Sequence, residues 1–297
     1  MFLRLSIFLA ILVLPICLLS QDRQTWIFIL AGQSNMAGRG ILEDVDTVTN
    51  SRVFSIDIQN SIVQASEPLH FYEPTKTGLD CGMSFALTMI EELYDGIDIL
   101  LLPTAVGGSS VLQWLNDSTH QGVKLFTNFR EKVNLGKSIG EFKGILWHQG
   151  ENDANTEGIQ NYSKRLKALF AKFREETGVN DLPILAGELG SFSRKPDEWD
   201  QINTIIHKVA SEDDNTFVIN TQDLDHKGDR LHFNSKGLRT LGQRYSEQIL
   251  EIYNLVFTTS GAVTVDEDFA ATQTVSITAG IVPTDEVSQT VTYSISP

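Results

Sequence analysis

Short apolar runs, each bounded by polar or turn residues, recur along the chain between positions 26 and 219. Several of them, such as residues 97–103, show little alternation of apolar and polar positions. A strand in a parallel sheet covered by helices on both faces needs apolar side chains on both sides, so this pattern predicts buried parallel strands. The predicted strands are residues 26–31, 53–58, 97–103, 144–147, 183–186 and 216–219.

Between the predicted strands, the apolar spacing changes to that of a helix. The clearest case is residues 162–173, where five apolar side chains share one helical face: Tyr162, Leu166, Leu169, Phe170 and Phe173. Gly178 follows as a C-terminal stop, and the other predicted helices are residues 83–93, 197–210 and 235–252. Strands that alternate with helices predict an α/β fold, an open three-layer sandwich that binds ligands at the carboxyl ends of its strands.

Both ends of the chain differ from this central region. Arg4, an apolar run over residues 5–19 and a polar segment after it predict a secretory signal peptide, residues 1–20, and hence a secreted protein, extracellular or periplasmic. A transmembrane anchor is the alternative, although the run is short and contains Pro15. We therefore expect the main domain to span residues 21–254.

From about residue 255 the pattern changes to period-2 alternation rich in Thr and Val, at residues 262–265, 274–278 and 290–295. Such alternation predicts half-exposed antiparallel strands. About 40 residues are too few to close a β-sandwich. We expect residues 255–297 to be a partial all-β C-terminal segment, either the start of a truncated β-sandwich accessory domain or a linker.

Charge and cysteine usage narrow the classes of partner. The formal net charge is −15, which argues against nucleic acid and anionic membranes as partners of the processed protein. Without the leader, Cys81 is the one remaining cysteine, and the neighbouring Asp80 disfavours its thiolate. Cys81 is therefore expected to be a small buried residue at a helix start. Four histidines, His70, His120, His207 and His226, lack the spacing of a metal site. We therefore expect no metal ion, and no other cofactor is expected either.

Three polar segments follow predicted strands or precede the last helix. They are GQSNM at residues 32–36, WHQGEND at residues 147–153 and DRLHFN at residues 229–234. A serine nucleophile needs a base within hydrogen-bond reach and an acceptor that orients the base. Ser34, His232 and Asp229 supply these groups, and the Asp-x-x-His spacing carries acid and base on one loop. The pattern differs from the G-x-S-x-G nucleophile elbow.

These segments resemble the sequence blocks of the SGNH (GDSL-like) hydrolase superfamily. They are most similar to those of carbohydrate esterase family 6 acetylxylan esterases and sialate O-acetylesterase-like proteins, over residues 26–252. The resemblance implies a flavodoxin-like three-layer α/β/α sandwich with a parallel sheet, and metal-free hydrolysis of acetyl esters on sugars. It implies Ser34 as the nucleophile, His232 as the general base and Asp229 as the orienting acid.

The resemblance also implies an oxyanion hole. Its first two donors would be the N–H groups of Ser34 and of a glycine in residues 105–110, for which we favour Gly108, with Gly107 in reserve. For the third donor we favour the Gln149 amide, suggested by the Trp-His-Gln-Gly-Glu form of the esterases. Asn152 is the alternative, because residues 150–153 also fit the superfamily pattern Gly-x-Asn-Asp.

Several roles near the site have two explanations. Glu151 is a second candidate for the acid that orients His232, or it holds its own loop through a structural hydrogen bond. Trp114 either stacks on a sugar or packs in the core. Arg39 and Arg230 either touch substrate or cap nearby carbonyls.

The chain is therefore expected to be a secreted serine esterase that removes O-acetyl groups from a polysaccharide or oligosaccharide. Acetylxylan or a similar plant or algal polysaccharide is the favoured substrate. A sialate O-acetylesterase, or an esterase of another acetylated glycan, is the first alternative. A non-catalytic carbohydrate-binding or adhesion protein is the second. The sequence does not indicate an oligomeric state.

Overall fold

A computed structural model of the protein describes residues 23–253 and two further two-residue strands. The strands of the main domain are β1 (Gln24–Gly32), β2 (Val53–Ile56), β3 (Ile62–Gln64), β4 (Ile97–Pro103), β5 (Thr119–His120), β6 (Val123–Lys124), β7 (Glu141–His148), β8 (Ile184–Gly187) and β9 (Thr216–Ile219). Its helices are α1 (Gly82–Glu92), α2 (Val111–Leu115), α3 (Leu125–Gly136), α4 (Thr156–Thr177), α5 (Pro196–Ser211) and α6 (Ser235–Ile252).

Seven strands form one sheet in the order β3-β2-β4-β1-β7-β8-β9. All neighbours pair in parallel except the edge strand β3, which is antiparallel to β2. In flavodoxin-like sheets the first strand lies between the second and the third. Here the third parallel strand, β4, lies between β2 and β1. Strand β1 is therefore flanked by β4 and β7.

Strand β1 explains why its apolar run shows no alternation. Ile27, Ile29 and Ala31 pack into the core that contains α2 to α5. Trp26, Phe28 and Leu30 pack into the opposite core, with α1 and α6. Because both faces of the strand are buried under helices from Trp26 onward, the positions from Trp26 to Ala31 are all apolar. The prediction of an α/β/α sandwich built on a parallel sheet is confirmed.

The predicted strands differ from the observed ones mainly at their ends. Strand β2 ends at Ile56, two residues before its predicted end, because Asp57 accepts the N–H groups of Gln59 and Ser61 and closes a turn. Strand β3, which is exposed along its length, was not predicted, and neither were the two-residue strands β5 and β6. Helix α2, which has five residues, and helix α3 were also not predicted.

The predicted signal peptide lies outside the described residues. Within the C-terminal segment, Thr258–Thr259 pairs with Ile277–Thr278 in antiparallel fashion, and the second of these strands lies in the predicted strand 274–278. The other predicted strands of that segment lie outside the described residues. No helix in the described part of the chain is long and apolar enough to span a membrane.

Candidate active site

Ser34 lies in a tight turn that begins where β1 ends. Gly32 has a φ of +137°, and a Cβ atom there would lie 2.1 Å from the carbonyl oxygen of His148, so a side chain does not fit. The carbonyl of Gln33 then accepts the N–H groups of Met36 and Ala37, which closes the turn. Strand β1 thereby presents Ser34 at the carboxyl edge of the sheet.

Ser34, His232 and Asp229 form a continuous hydrogen-bonded chain. The Nε2 atom of His232 lies 3.0 Å from Ser34 Oγ, and its Nδ1 atom lies 2.7 Å from Asp229 Oδ2. Because the carboxylate accepts the Nδ1 proton, Nε2 presents its lone pair and Ser34 donates to it. The structure thus brings together the three residues that the sequence pattern selected, in the order that base activation requires.

The carboxylate of Asp229 is held in its charged form. Burial opposes this, but the backbone N–H and side chain of His232 and the N–H of Leu231 outweigh it and lower the pKa of Asp229 to about 2. Both N–H groups donate to Oδ1 at 2.9 Å. These hydrogen bonds hold the acid and the base in a fixed geometry on one loop. Arg230, between them, has a φ of +60°.

Asn35, next to Ser34, connects this loop to the serine turn. Its side-chain Nδ2 donates to the carbonyl of Leu231 at 3.2 Å, and its Oδ1 accepts the N–H of Phe233 at 3.1 Å. These are the residues immediately before and after His232. One buried amide therefore fixes the backbone on both sides of the histidine. Asn35 was not among the predicted site residues, although a polar residue in a turn directly after a buried strand was the available signal.

Glu151 does not hydrogen-bond to His232. Its Oε1 accepts from Asn35 Nδ2 at 2.6 Å and lies 3.7 Å from Nδ1 of the buried His148. His148 donates its Nε2 proton to the carbonyl of Glu188, and burial lowers its pKa. The carboxylate that hydrogen-bonds to the imidazole of His232 is therefore that of Asp229, and not that of Glu151. It agrees with the alternative in which Glu151 holds the loop structurally.

Two backbone N–H groups are free to bind an oxyanion. Those of Ser34 and Gly108 have no acceptor among residues 23–253, and both residues line the same cavity. The N–H of Gly107, by contrast, donates to Glu73 Oε2 at 2.6 Å. The structure therefore agrees with the Gly108 N–H as an oxyanion donor. The N–H of Gly107, the reserve candidate, is already donated to Glu73.

The placement of Gln149 corrects the favoured third donor. Its side chain is fully buried, and its Nε2 contacts three acceptors: the Gln33 side chain, the Ser109 carbonyl and Asp153. An amide with two protons has none left for a ligand in this arrangement. Asn152 lines the cavity with Ser34 and His232, and its side chain makes no hydrogen bond within residues 23–253. Of the two candidates for the third donor, Asn152 is therefore the one whose side-chain amide is unoccupied in residues 23–253.

The cavity at the carboxyl edge has a volume of about 410 Å³, within the usual range for a small-ligand site. Its lining includes Ser34, Leu231, His232, Gly108 and Gln121. No group of three or more potential metal ligands of the His, Cys, Asp and Glu types exists in the described ranges.

A buried ion pair forms another wall of this cavity. Arg39 Nη2 lies 2.7 Å from Glu73 Oε2, and Arg39 Nη1 donates to the carbonyl of Gly38. Burial would raise the pKa of Glu73, but Arg39, the N–H of Gly107 and Lys76 together lower it. Arg39 therefore caps a carbonyl and also faces the cavity.

Three other residues considered from the sequence make structural contacts and do not line the cavity: Arg230, Trp114 and Cys81. Arg230 donates to the carbonyls of Phe192 and Ser193 and does not line the cavity. Trp114 is fully buried, where its Nε1 donates to Ser109 Oγ and its ring packs edge-on against Trp147, so it packs in the core. Cys81 is buried at the N-cap of α1, and burial, with Asp80 and Glu67, raises the pKa of its thiol well above the ordinary value, as its position in the sequence predicted.

Comparisons with known proteins agree with this geometry. The sequence model of the family described as "Carbohydrate esterase, sialic acid-specific acetylesterase" matches residues 24–251. A probable carbohydrate esterase of Arabidopsis thaliana is 27% identical over 242 residues, which cover 75% of this chain and 90% of the relative. The X-ray structure of an Arabidopsis thaliana protein has a TM-score of 0.67 at 25% identity, covering 76% of this chain and 98% of its own.

Two further solved structures share the fold. The structure of NanS has a TM-score of 0.64 at 17% identity, covering 78% of this chain and 98% of its own. A carbohydrate acetylesterase from Xanthomonas citri has a TM-score of 0.57 at 18% identity, covering 77% of this chain and 56% of its own.

The fold and these matches define the chain as a carboxylic ester hydrolase with an SGNH-like α/β fold. It belongs to the carbohydrate esterase family whose description names sialic acid-specific acetylesterases. The resemblance drawn from the sequence is confirmed, as is the expectation of a carbohydrate acetylesterase. The alternative of a non-catalytic adhesion protein finds no support in this membership.

Proposed function

We propose that this esterase uses Ser34 as its nucleophile, His232 as its general base and Asp229 as the acid that orients the base. The observation that carries the proposal is the chain of contacts from Ser34 Oγ to His232 Nε2 at 3.0 Å and from His232 Nδ1 to Asp229 at 2.7 Å, at the wall of the cavity. Ser34 attacks the acetyl carbonyl while its proton passes to His232.

The tetrahedral intermediate places a negative charge on the former carbonyl oxygen. The N–H groups of Ser34 and Gly108 and the side-chain amide of Asn152 bind this charge. His232 then gives its proton to the departing sugar alcohol, which leaves an acetyl group on Ser34. Water, activated by the same histidine, attacks the acetyl-enzyme, and acetate leaves as Ser34 regains its proton.

For the substrate, we propose an acetylated plant or algal polysaccharide such as acetylxylan. Support comes from the resemblance of the motifs to acetylxylan esterases and from the similarity to a plant carbohydrate esterase. O-acetylated sialic acid is the second candidate. It is favoured by the family description.

The test is acetate release from acetylated xylan and from O-acetylated sialic acid, with the wild type and the Ser34→Ala variant in parallel. We expect release from xylan that the substitution abolishes. Release from the sialic acid alone would replace the favoured substrate with the second one. Release that survives Ser34→Ala would contradict the proposed mechanism.

We also propose that residues 1–20 are a signal peptide and that the enzyme is secreted. The support is Arg4, the apolar run over residues 5–19 and the polar segment that follows. N-terminal sequencing of protein recovered outside the cytoplasm would begin near Gln21 if this is correct. A mature protein that retains the run would contradict it.

A further inference from the structure

The carbonyl oxygen of Gly107 receives two side-chain hydrogen bonds. His120 Nε2 lies 2.9 Å from it, and Gln121 Nε2 donates to it at 2.6 Å. His120 ends strand β5, and Gln121 and Gly122 form the tight turn to β6, with φ of +48° and +82°. This small hairpin therefore places two donors on one peptide group.

This peptide group is the one that carries the proposed oxyanion donor. The carbonyl of Gly107 and the N–H of Gly108 belong to the same peptide bond, which is trans. In a trans peptide the two groups point in opposite directions. Because the carbonyl points to the hairpin, the N–H points away from it, and Gly108 lines the cavity together with Ser34.

The tautomer of His120 is fixed by its other neighbour. Gln113 Oε1 accepts the N–H of Ser110 at 2.9 Å, so its Nε2 is left as a donor. That atom lies 3.4 Å from His120 Nδ1. Nδ1 must therefore accept, and the ring proton is on Nε2, where it is donated to Gly107. Ser110 and Gln113 form the capping box at the start of α2, and this motif thus keeps the proton of His120 on Nε2.

The preceding peptide is held as well. The N–H of Gly107 donates to Glu73, and a Cβ atom on Gly107 would lie 2.2 Å from Arg39 Nη2. The backbone at Gly107 is therefore restrained at its N–H and at its carbonyl. Hydrogen bonds to a carbonyl also polarise the peptide and strengthen its N–H as a donor, by about 10–30%.

We propose that His120 and Gln121 are positioning residues that orient and polarise the Gly107–Gly108 peptide so that its N–H is pre-organised for the oxyanion. The inference rests on the proposed function. Both donors act on one carbonyl, so either one restrains the peptide when the other is removed. Each single substitution to Ala should cost less than the double substitution.

The experiment measures kcat and KM for 4-nitrophenyl acetate in His120→Ala, Gln121→Ala and the double variant. We expect kcat to fall by about threefold to tenfold in each single variant and to approach the loss of one oxyanion donor, about 10²–10³-fold, in the double variant. KM should change by less than about threefold, because the donor acts mainly on the charge that develops in the transition state.

Two control variants separate positioning from a general effect on the hairpin. His120→Gln keeps a donor in reach of Gly107 and should restore most of the kcat lost in His120→Ala. Thr119→Ala changes an exposed neighbour on the same strand and should leave kcat unchanged. Thermal unfolding of every variant confirms that the domain remains folded at the assay temperature.

Three results would overturn the inference. One is a double variant that is folded and retains the wild-type kcat. Another is a rise in KM at constant kcat in Gln121→Ala, which would mean that Gln121 contacts the substrate. The third is a failure of His120→Gln to restore kcat. If Ser34→Ala retains activity, the proposed function itself fails, so the two failures are distinguishable.

Discussion

The side-chain amide of Asn35 donates to the carboxylate of Glu151 at 2.6 Å, inside the domain and next to the proposed nucleophile. The same amide holds the peptide groups on both sides of His232. Glu151 therefore acts on His232 through Asn35, whereas Asp229 contacts the imidazole directly. The buried carboxylate of Glu151 therefore has a structural partner in Asn35 and is not needed as a member of the proposed triad.

Replacing the two acids separately tests this distinction. Asp229→Ala removes the acceptor that fixes the His232 tautomer, and kcat is expected to fall by up to about 10⁴-fold. Glu151→Gln keeps an oxygen that accepts from Asn35, and kcat should fall by less than about tenfold. Steady-state kinetics on folded protein provides the comparison. A larger loss of kcat in Glu151→Gln than in Asp229→Ala would reverse the assignment.

Asn35 offers a second test, because its amide aligns the serine turn with the histidine loop. Asn35→Ala should lower kcat by about 10–100-fold, as a displacement of about 1 Å does in a positioned site. It should also reduce the free energy of unfolding by about 1–3 kcal/mol, since buried polar groups lose their partner. Kinetics below the unfolding transition separates the two effects. A folded Asn35→Ala variant with wild-type kcat would show that the alignment does not depend on this amide.

The third oxyanion donor is tested by comparing Asn152 with Gln149. Asn152 is exposed at the cavity, so Asn152→Ala should lower kcat by about 10²–10³-fold and leave the unfolding midpoint nearly unchanged. Gln149 is buried among Gln33, Ser109 and Asp153, so Gln149→Ala should reduce stability by about 1–3 kcal/mol.

Chemical denaturation and kcat are measured on both variants. The opposite pattern, with a stable Gln149→Ala that has lost turnover and an Asn152→Ala that has kept it, would return the role to Gln149.

The depressed pKa of Asp229 makes stability depend on pH in the acid range. The folded-state pKa is about 2 against an ordinary value of 3.8, so the unfolded chain binds more protons between these values. The stabilisation by the ionised carboxylate is complete above about pH 4 and is lost as the pH falls to about 2.

Urea denaturation of the wild type and Asp229→Asn at several pH values measures this effect. The difference in the free energy of unfolding should shrink as the pH falls through the window. A difference that stays constant from neutral pH to the acid end would mean that the carboxylate is not stabilised in the folded state.

The sequence predicted the parallel sheet well because burial on both faces leaves a direct pattern, as in the unbroken apolar run of β1. It also predicted Ser34, His232 and Asp229, whose chemistry requires those residue types at strand ends or on one loop. The choice between Gln149 and Asn152 was less accessible. It depends on which side-chain amide is already occupied by other protein groups. The Gln149 amide contacts Asp153, four residues away, and Gln33, 116 residues away, and neither contact has a signature in the sequence.

The role of His120 was similarly hidden, since its partner is a backbone carbonyl that has no signature in the sequence. The hairpin that carries it consists of two-residue strands, too short for a period-2 pattern. Polar contacts of this kind leave no periodic pattern along the chain, so the sequence does not predict them.

The proposed role of Ser34 as the nucleophile is tested most directly by the kcat for acetyl-ester hydrolysis in Ser34→Ala, with Ser138→Ala as the matched control. Ser138 is an exposed serine that precedes β7, at the edge of the sheet opposite the cavity. We expect Ser34→Ala to fold normally and to lose hydrolysis by about 10⁶-fold, while Ser138→Ala keeps the wild-type rate. A folded Ser34→Ala variant that hydrolyses the acetyl ester at the wild-type rate would contradict the proposed role.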